Sequence, residues 1–413
     1  RDLVEEHGLK FGVERDSWRM IPPRLRSAEV RVIARGEPPL PGEDARIIEH
    51  YREGAEHGQA VFMVSEGQLL CEKIPPRRGA RGRDVLDNPI EPPPGADFEL
   101  AAGPGTRLSD DGLKLYAETG GAVSRIKDAW TVVPFSQYFA PGTLPRKVNA
   151  EGAVRVTGSV PPGHQIVAAH HVEIIGDVTA ASVAAGGALH IHGRIVSCTG
   201  TRVQCGGDLH VEGIEKSSVR AGGSIYLGKE ARDSDLIAGG GVYGANGNAI
   251  SIVGGRVAAV RGVEITTLGA QPAAVTTLLL GAPLPLRNRY DHAASEIIAL
   301  VNKFGAVNNM LLPLHKQLVA KQLPREKAPL YRRLRLARDG LAERIRVARA
   351  TVAKLKAALA FTARETTAVV KGAAFPGAAV RIGTQRYRVE KRLKNCVFRP
   401  APEGDFLEVS ERK

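Results

Sequence analysis

No stretch of this chain carries the roughly 18–20 consecutive apolar residues needed to cross a bilayer. The best candidate, residues 273–286, is short and interrupted by Gly281, Pro283 and Pro285, so no membrane-spanning helix is expected. Aromatic residues make up only 5% of the chain, which disfavours a surface that stacks bases. The four cysteines, Cys71, Cys198, Cys205 and Cys396, are scattered and share no CxxC spacing, which argues against a zinc ribbon or finger. They read as reduced thiols and favour the cytoplasm. No serine sits in a nucleophile elbow, so an α/β-hydrolase triad has no support. The chain begins at Arg1 rather than Met, so a natural N-terminal segment is expected to precede it.

What is abundant is glycine, 46 residues in 413, together with small and β-branched side chains. That length exceeds one hydrophobic core and suggests two to four units. The net charge of +13 is unevenly placed. Residues 285–413 hold 27 Lys+Arg and 11 Asp+Glu, net +16, whereas the other 284 residues sum to −3. Any attraction to a polyanion or an acidic partner must therefore originate in the C-terminal third.

Residues 1–145 read as an N-terminal α+β domain. Helical spacing over residues 1–9 and 45–57 alternates with strand-like runs at 30–34, 61–64 and 129–133, separated by proline and glycine turns. Residues 75–94 are basic and proline-rich and read as a long surface loop. From about residue 154 an internal repeat takes over. Val183-Ala-Ala-Gly-Gly-Ala-Leu-His-Ile-His-Gly193, Val203-Gln-Cys-Gly-Gly-Asp-Leu-His-Val-Glu-Gly213 and Val219-Arg-Ala-Gly-Gly-Ser-Ile-Tyr-Leu-Gly228 share one pattern, recurring every 16 to 20 residues. Alternation of apolar and polar residues buries one face of a short strand, and Gly-Gly supplies a corner where a side chain would collide or φ must be positive. One such unit cannot bury its own apolar face, but stacked units can. The pattern predicts a central parallel β-helix over residues 146–283, with four or five coils rising roughly 20–25 Å. In the first coil His170-His171 stands where the others have Gly-Gly.

Beyond Pro283 and Pro285 the sequence is helix-forming. Leu334, Leu341, Ile345, Ala348, Val352, Leu355, Leu359, Thr362, Thr366 and Val369 follow a heptad seam. Tyr290, Ala294, Ile297, Val301, Phe304, Leu311 and Leu318 fit an earlier one, with Asn308 and His315 as polar interruptions. Pro313 is expected to kink or break that first helix, and Pro324 and Pro329 bracket the turn. The reading is an antiparallel coiled-coil helical hairpin over residues 284–372, followed by a short C-terminal β segment over 373–413.

Four candidate sites stand out. Gly239-Gly240-Gly241-Val242-Tyr243-Gly244 contains GxGxxG, but a dinucleotide site needs a helix to begin there and none follows, so a coil corner is favoured. His190, His192, His210 and Glu212 fall on one outward face of adjacent coils, close enough to bind zinc or nickel, although outward solenoid positions are polar in any case. His170 and His171 read as turn residues. Around the second helical seam, nine basic residues meet few acidic ones, and Arg332, Arg335, Arg346 and Arg349 are taken as partner-binding. An acidic protein is ranked first as partner, a membrane surface second and nucleic acid third; a homo-oligomer remains open.

The order of these features resembles the flagellar assembly protein A (FapA) family. The resemblance rests on Ala34-Arg-Gly-Glu-Pro-Pro-Leu-Pro-Gly-Glu-Asp44, the stretch from Pro75-Pro76 to Gly82-Arg-Asp-Val85, the Ala-Gly-Gly coils, Gly254-Gly255, Leu268-Gly269, the run from Thr276 to Gly281, and the hairpin followed by β sequence. The solenoid resembles, more loosely, that of the cell-division inhibitor MinC. The resemblance implies a cytoplasmic protein tied to flagellar assembly and polar organisation, with no catalytic residues to carry over. The expected function is a non-catalytic scaffold without cofactor. Polyanion binding through the basic arm and a metal-dependent enzyme on the solenoid face are the alternatives.

Overall fold

The computed structural model describes residues 7–14, 32, 34–53, 61–126, 128–271, 275–401, 404 and 406–411. The chain divides into two compact units, Arg1–Phe135 and Ser136–Lys413.

The first unit is β-rich. Arg46–Glu49, Leu69–Ile74, Lys114–Ala117 and Thr106–Leu108 form a four-stranded antiparallel sheet, and Met63–Val64, Gly121–Ile126 and Ala129–Val133 form a second. Leu70, Cys71, Leu115, Val123 and Trp130 close its core. Among the described residues it contains no α-helix. The helix expected over 45–57 is a strand at Arg46–Glu49 and a 3-10 turn at His50–Arg52, with 54–60 outside the described residues. Adjacent Ile47 and Ile48 are β-branched, and pairing with Leu69–Ile74 satisfies their backbone. Of the expected helix over 1–9, residues 1–6 lie outside the described residues, as does most of the strand expected at 30–34.

The second unit is a parallel β-solenoid of roughly eight turns. Each coil lays one strand on each of three sheets. In the first sheet Val148, Ile166, Val183, Val203, Val219, Leu236, Val257, Leu278 and Val380 stand in direct register, all inward and at most 3% exposed. Burying each such side chain contributes about 1.5–3 kcal/mol. No coil could gain this alone, because its inward residues need the coil above and below as partners.

The helical hairpin interrupts this stack. The chain leaves at Thr276–Leu280, forms α1 (Leu284–Val319) and α2 (Ala328–Ala363), and re-enters the solenoid. Thr367–Ala374 then pairs in parallel with Gly262–Leu268, and Ala378–Ile382 with Thr276–Leu280. The C-terminal β segment is therefore the last coil and its cap. Gln385–Arg388, Leu393–Pro400 and Leu407–Glu411 turn antiparallel and cover strands that would otherwise expose open edges.

Prolines set the hairpin's ends. Pro285 and Pro329 occupy first-turn positions, where the missing N–H would be unpaired anyway. Lys321, at φ 57, reverses the chain after α1. Of the kink or break expected at Pro313, the break does not occur: α1 continues through it. Pro313 and Asn309 are both exposed, so water can take up the carbonyl that the proline leaves free. α1 is also the one helix among the described residues long and apolar enough to cross a membrane by length and composition, with mean hydropathy 1.4 over its best window. The expectation of no such segment overlooked residues 297–314, where Lys303 is the single charge.

Candidate functional site

The arm is an antiparallel pair. Arg344 of α2 reaches Glu296 of α1 at 3.8 Å near its base, and Tyr331 Oη meets His315 Nδ1 at 2.9 Å near its tip. The α2 seam runs through Tyr331, Leu334, Leu341, Ile345, Ala348, Val352, Leu355 and Leu359, largely as read from sequence. Thr362 is exposed, Thr366 lies beyond the helix and Val369 belongs to a solenoid strand, so these three leave the seam.

On α1 the register differs. Tyr290, Ile297, Phe304 and Leu311 do pack inward, but the positions alternating with them are Ala293, Leu300, Val307 and Leu314. Ala294, Val301, Asn308 and His315, expected in the seam, fall one step to the side. There they join Ile298, Gly305, Leu312 and Val319, which recur every seven residues. The result is a second, mainly apolar stripe broken by Asn308 and His315, with Ile298 63%, Leu312 49% and Val319 71% exposed.

All four predicted arginines border that stripe. In an antiparallel pair, the positions following each seam residue lie on one common side of both helices. Arg332, Arg335, Arg346 and Arg349 follow Tyr331, Leu334, Ile345 and Ala348, as Ala294, Ile298, Val301 and Leu312 follow Ala293, Ile297, Leu300 and Leu311. Arg346 pairs with Glu343 at 2.6 Å and Arg335 approaches Asp339 at 4.0 Å. Both pairs are exposed, so water and salt screen them and they add little to stability. Arg332 and Arg349 have no ion-pair partner among the described residues. Acidic partners are thus less scarce than the sequence suggested, although α2 still carries nine Lys+Arg against two Asp+Glu.

A buried shoulder fixes the arm's base. Arg287 is 1% exposed and donates from Nη2 to the Leu280 carbonyl at 3.0 Å, while its Nε and Nη1 have no hydrogen-bond partner among the described residues. Burial, with Arg381 nearby, pulls its pKa down to about 10. One turn on, the Asp291 carboxylate accepts two hydrogen bonds from Arg381 of the last coil, at 2.8 and 3.3 Å. Leu359 and Ala363 bury against the same place. Spacing alone does not announce this anchor, because Arg381 is 90 residues from its partner.

On the solenoid the histidines form a ladder. His190 stacks on His192 at 4.4 Å and on His210 at 5.2 Å, and the column continues through Tyr226 and Tyr243. Faces meet faces, so the ring nitrogens do not converge on one point. Among the described residues no group of three His, Cys, Asp or Glu is placed to hold a metal ion. His192 Nε2 lies 3.0 Å from Oε1 of buried Glu173, and Glu212 pairs instead with Lys229 at 2.7 Å. Burial, then His192 and His210, drives the His190 pKa down to about 3. The sequence reading missed the two tyrosines, although they occupy the same repeat position as His190 and His210.

Residues 239–244 form a coil corner leading into the strand Gly241–Gly244, which is followed by a three-residue 3-10 turn at Ala245–Gly247 and not by an α-helix. A groove of about 520 Å³ runs along the first sheet, lined by Gln165, Ser182, Thr201, Arg202 and Gln204. It contains none of the residues singled out from sequence.

Comparison with protein families finds two matches in chain order. Residues 2–128 match the Flagellar Assembly Protein A N-terminal region, and residues 146–404 match the Flagellar Assembly Protein A beta solenoid domain. No curated protein and no solved structure matches the chain.

Proposed function

The chain belongs to the flagellar assembly protein A family, and from that premise we propose that it is a non-catalytic cytoplasmic scaffold that docks an acidic protein partner on its helical arm. The observation that carries this reading is the concentration of charge. The arm over residues 284–363 holds 16 Lys+Arg and 5 Asp+Glu, net +11 of the chain's +13. Four of its arginines share one side, two of them without an ion-pair partner among the described residues. A one-signed surface on an extended arm attracts opposite charge over about a Debye length, roughly 8–10 Å in physiological salt, and chiefly accelerates association.

The test is R332E/R335E/R346E/R349E. It leaves the inward residues Leu341, Ile345 and Val352 untouched, so helical content is expected to hold. Association with the partner captured from flagellated cells should slow by at least tenfold and lose most of its salt dependence. Binding equal to that of the parent at low salt would overturn the reading and turn attention to the solenoid groove.

A further inference from the structure

We propose that the partner's contact is itself an amphipathic α-helix with an acidic flank, which lies along the arm and completes a three-helix bundle. This rests on the docking reading above and specifies the occupant.

Three observations lead there. The partly exposed stripe Ala294, Ile298, Val301, Gly305, Leu312 and Val319, interrupted by polar Asn308 and His315, follows the heptad, the repeat with which one helix receives the side chains of another. A strand or loop would find apolar positions at the wrong intervals. Gly305 is half-buried with nothing near its Cβ position, and Ala342 and Ala353 of α2 face the same side; small residues there let a third backbone approach. The stripe spans 26 residues, about 38 Å at 1.5 Å per residue, which is ample for an independent helical contact.

Charge then selects among occupants. The groove has an apolar wall on α1 and an arginine wall on α2, so a helix lying in it needs apolar residues toward α1 and carboxylates toward α2. A second copy of this chain would bring a basic wall of its own against the first, and like charges oppose that pairing. A flat anionic bilayer would meet the crests of the two helices rather than the channel between them.

The probe is a synthetic peptide of roughly four heptads, with Leu and Ala on its apolar face and Glu along one flank. Its control has the same charges, with Ser replacing Leu. Each is titrated into the full chain, into I298S/V301S/L312S, and into R332E/R335E/R346E/R349E. The three replaced apolar residues are exposed, so the triple variant should keep its helicity, which circular dichroism checks. The parent is expected to bind the Leu peptide at least tenfold more tightly than the Ser peptide, and both variants to lose that binding by a similar factor.

Other outcomes overturn the inference. No binding of the Leu peptide to the parent excludes the third helix. Equal binding of both peptides, or a triple variant that binds like the parent, leaves charge-driven docking intact and removes the third helix. A parent that dimerises, with the dimer lost in the triple variant, assigns the stripe to a second copy. Preference for vesicles of phosphatidylcholine and phosphatidylglycerol over the peptide assigns it to a lipid surface.

Discussion

At the scale of single residues, two kinds of corner shape the solenoid. The Gly-Gly corners are glycine because of close approach and not because of φ. The Cβ that Gly186, Gly206, Gly222 and Gly239 lack would run into the carbonyl of the corner beneath, and none of these four has a positive φ. Left-handed residues sit instead at another corner, where Ala180, Ser197, Lys216, Asp233 and Gly254 hold φ between 43° and 73°. Only the last is a glycine, so this corner leaves no trace in the sequence pattern. In the first coil the glycine places fall to Ala169 and His170, one residue earlier than expected. His171 instead takes the place of Asp208, its Nδ1 accepting from the Ala188 amide at 2.9 Å as Asp208 Oδ1 accepts from the Ser224 amide at 2.6 Å. These contacts separate two neighbouring substitutions. Gly206→Val drives a β-branched side chain into the Gly186 carbonyl and should cost more than about 3 kcal/mol. Asp208→Ala loses one hydrogen bond to a half-buried amide and should cost about 1 kcal/mol. Urea midpoints measure both, and indistinguishable midpoints would refute the stacked corner.

At the scale of elements, the ring ladder is a column of equivalent positions, with His192 of the same strand stacked on His190, and protonation of that column has a calculable effect on stability. His190 is neutral in the fold because burial and its two imidazole neighbours disfavour a charge, and its pKa stands at about 3 against an ordinary 6.5. Between those values the unfolded chain binds a proton that the folded chain refuses. The contribution is therefore complete above pH 6.5 and drains away as pH falls toward 3, by up to about 1.4 kcal/mol per pH unit. His190→Phe keeps a ring between His192 and His210 but cannot be protonated. Denaturation midpoints of the parent should fall more steeply than those of the variant between pH 6.5 and 4, and parallel curves would refute the assignment. Much at this scale is legible in the sequence: strands alternate, prolines bracket the hairpin, and the seam of α2 stands out because Leu and Ile crowd one face. α1 misleads because two apolar stripes lie side by side, and Tyr290, Ile297, Phe304 and Leu311 fit a seam with either neighbour. Tertiary packing, absent from a single sequence, decides between Leu300 and Val301. The four arginines could be picked out by composition alone, whereas the apolar stripe beside them emerges only once the register is known.

At the scale of the whole second unit, the hairpin is an insertion between two coils of one continuous solenoid. The sequence reading finds four or five coils where roughly eight exist, because only the central ones carry Gly-Gly, and because the final coil arrives after the two helices. Both crossings of the boundary meet in space: a Cβ on Gly281 would fall 2.7 Å from that of Ala363, and the re-entering strand pairs with coil residues laid down about a hundred positions earlier. A short bridge should therefore replace the arm. Removing residues 283–364 and joining Ala282 to Glu365 through a few glycines and serines preserves every rung of the first sheet, from Val148 to Val380. It sacrifices the burial of Leu359 and Ala363 and the Asp291–Arg381 pair, and it also removes buried Arg287, two of whose nitrogens have no hydrogen-bond partner among the described residues and so oppose folding. The shortened chain should remain folded, with a β-dominated circular dichroism spectrum and a cooperative unfolding transition, while all attachment to an acidic helix disappears. A chain that unfolds or aggregates would show that the arm nucleates the last coil and is structural rather than recruited for docking. A folded chain that still captures the partner would move the docking surface onto the solenoid itself.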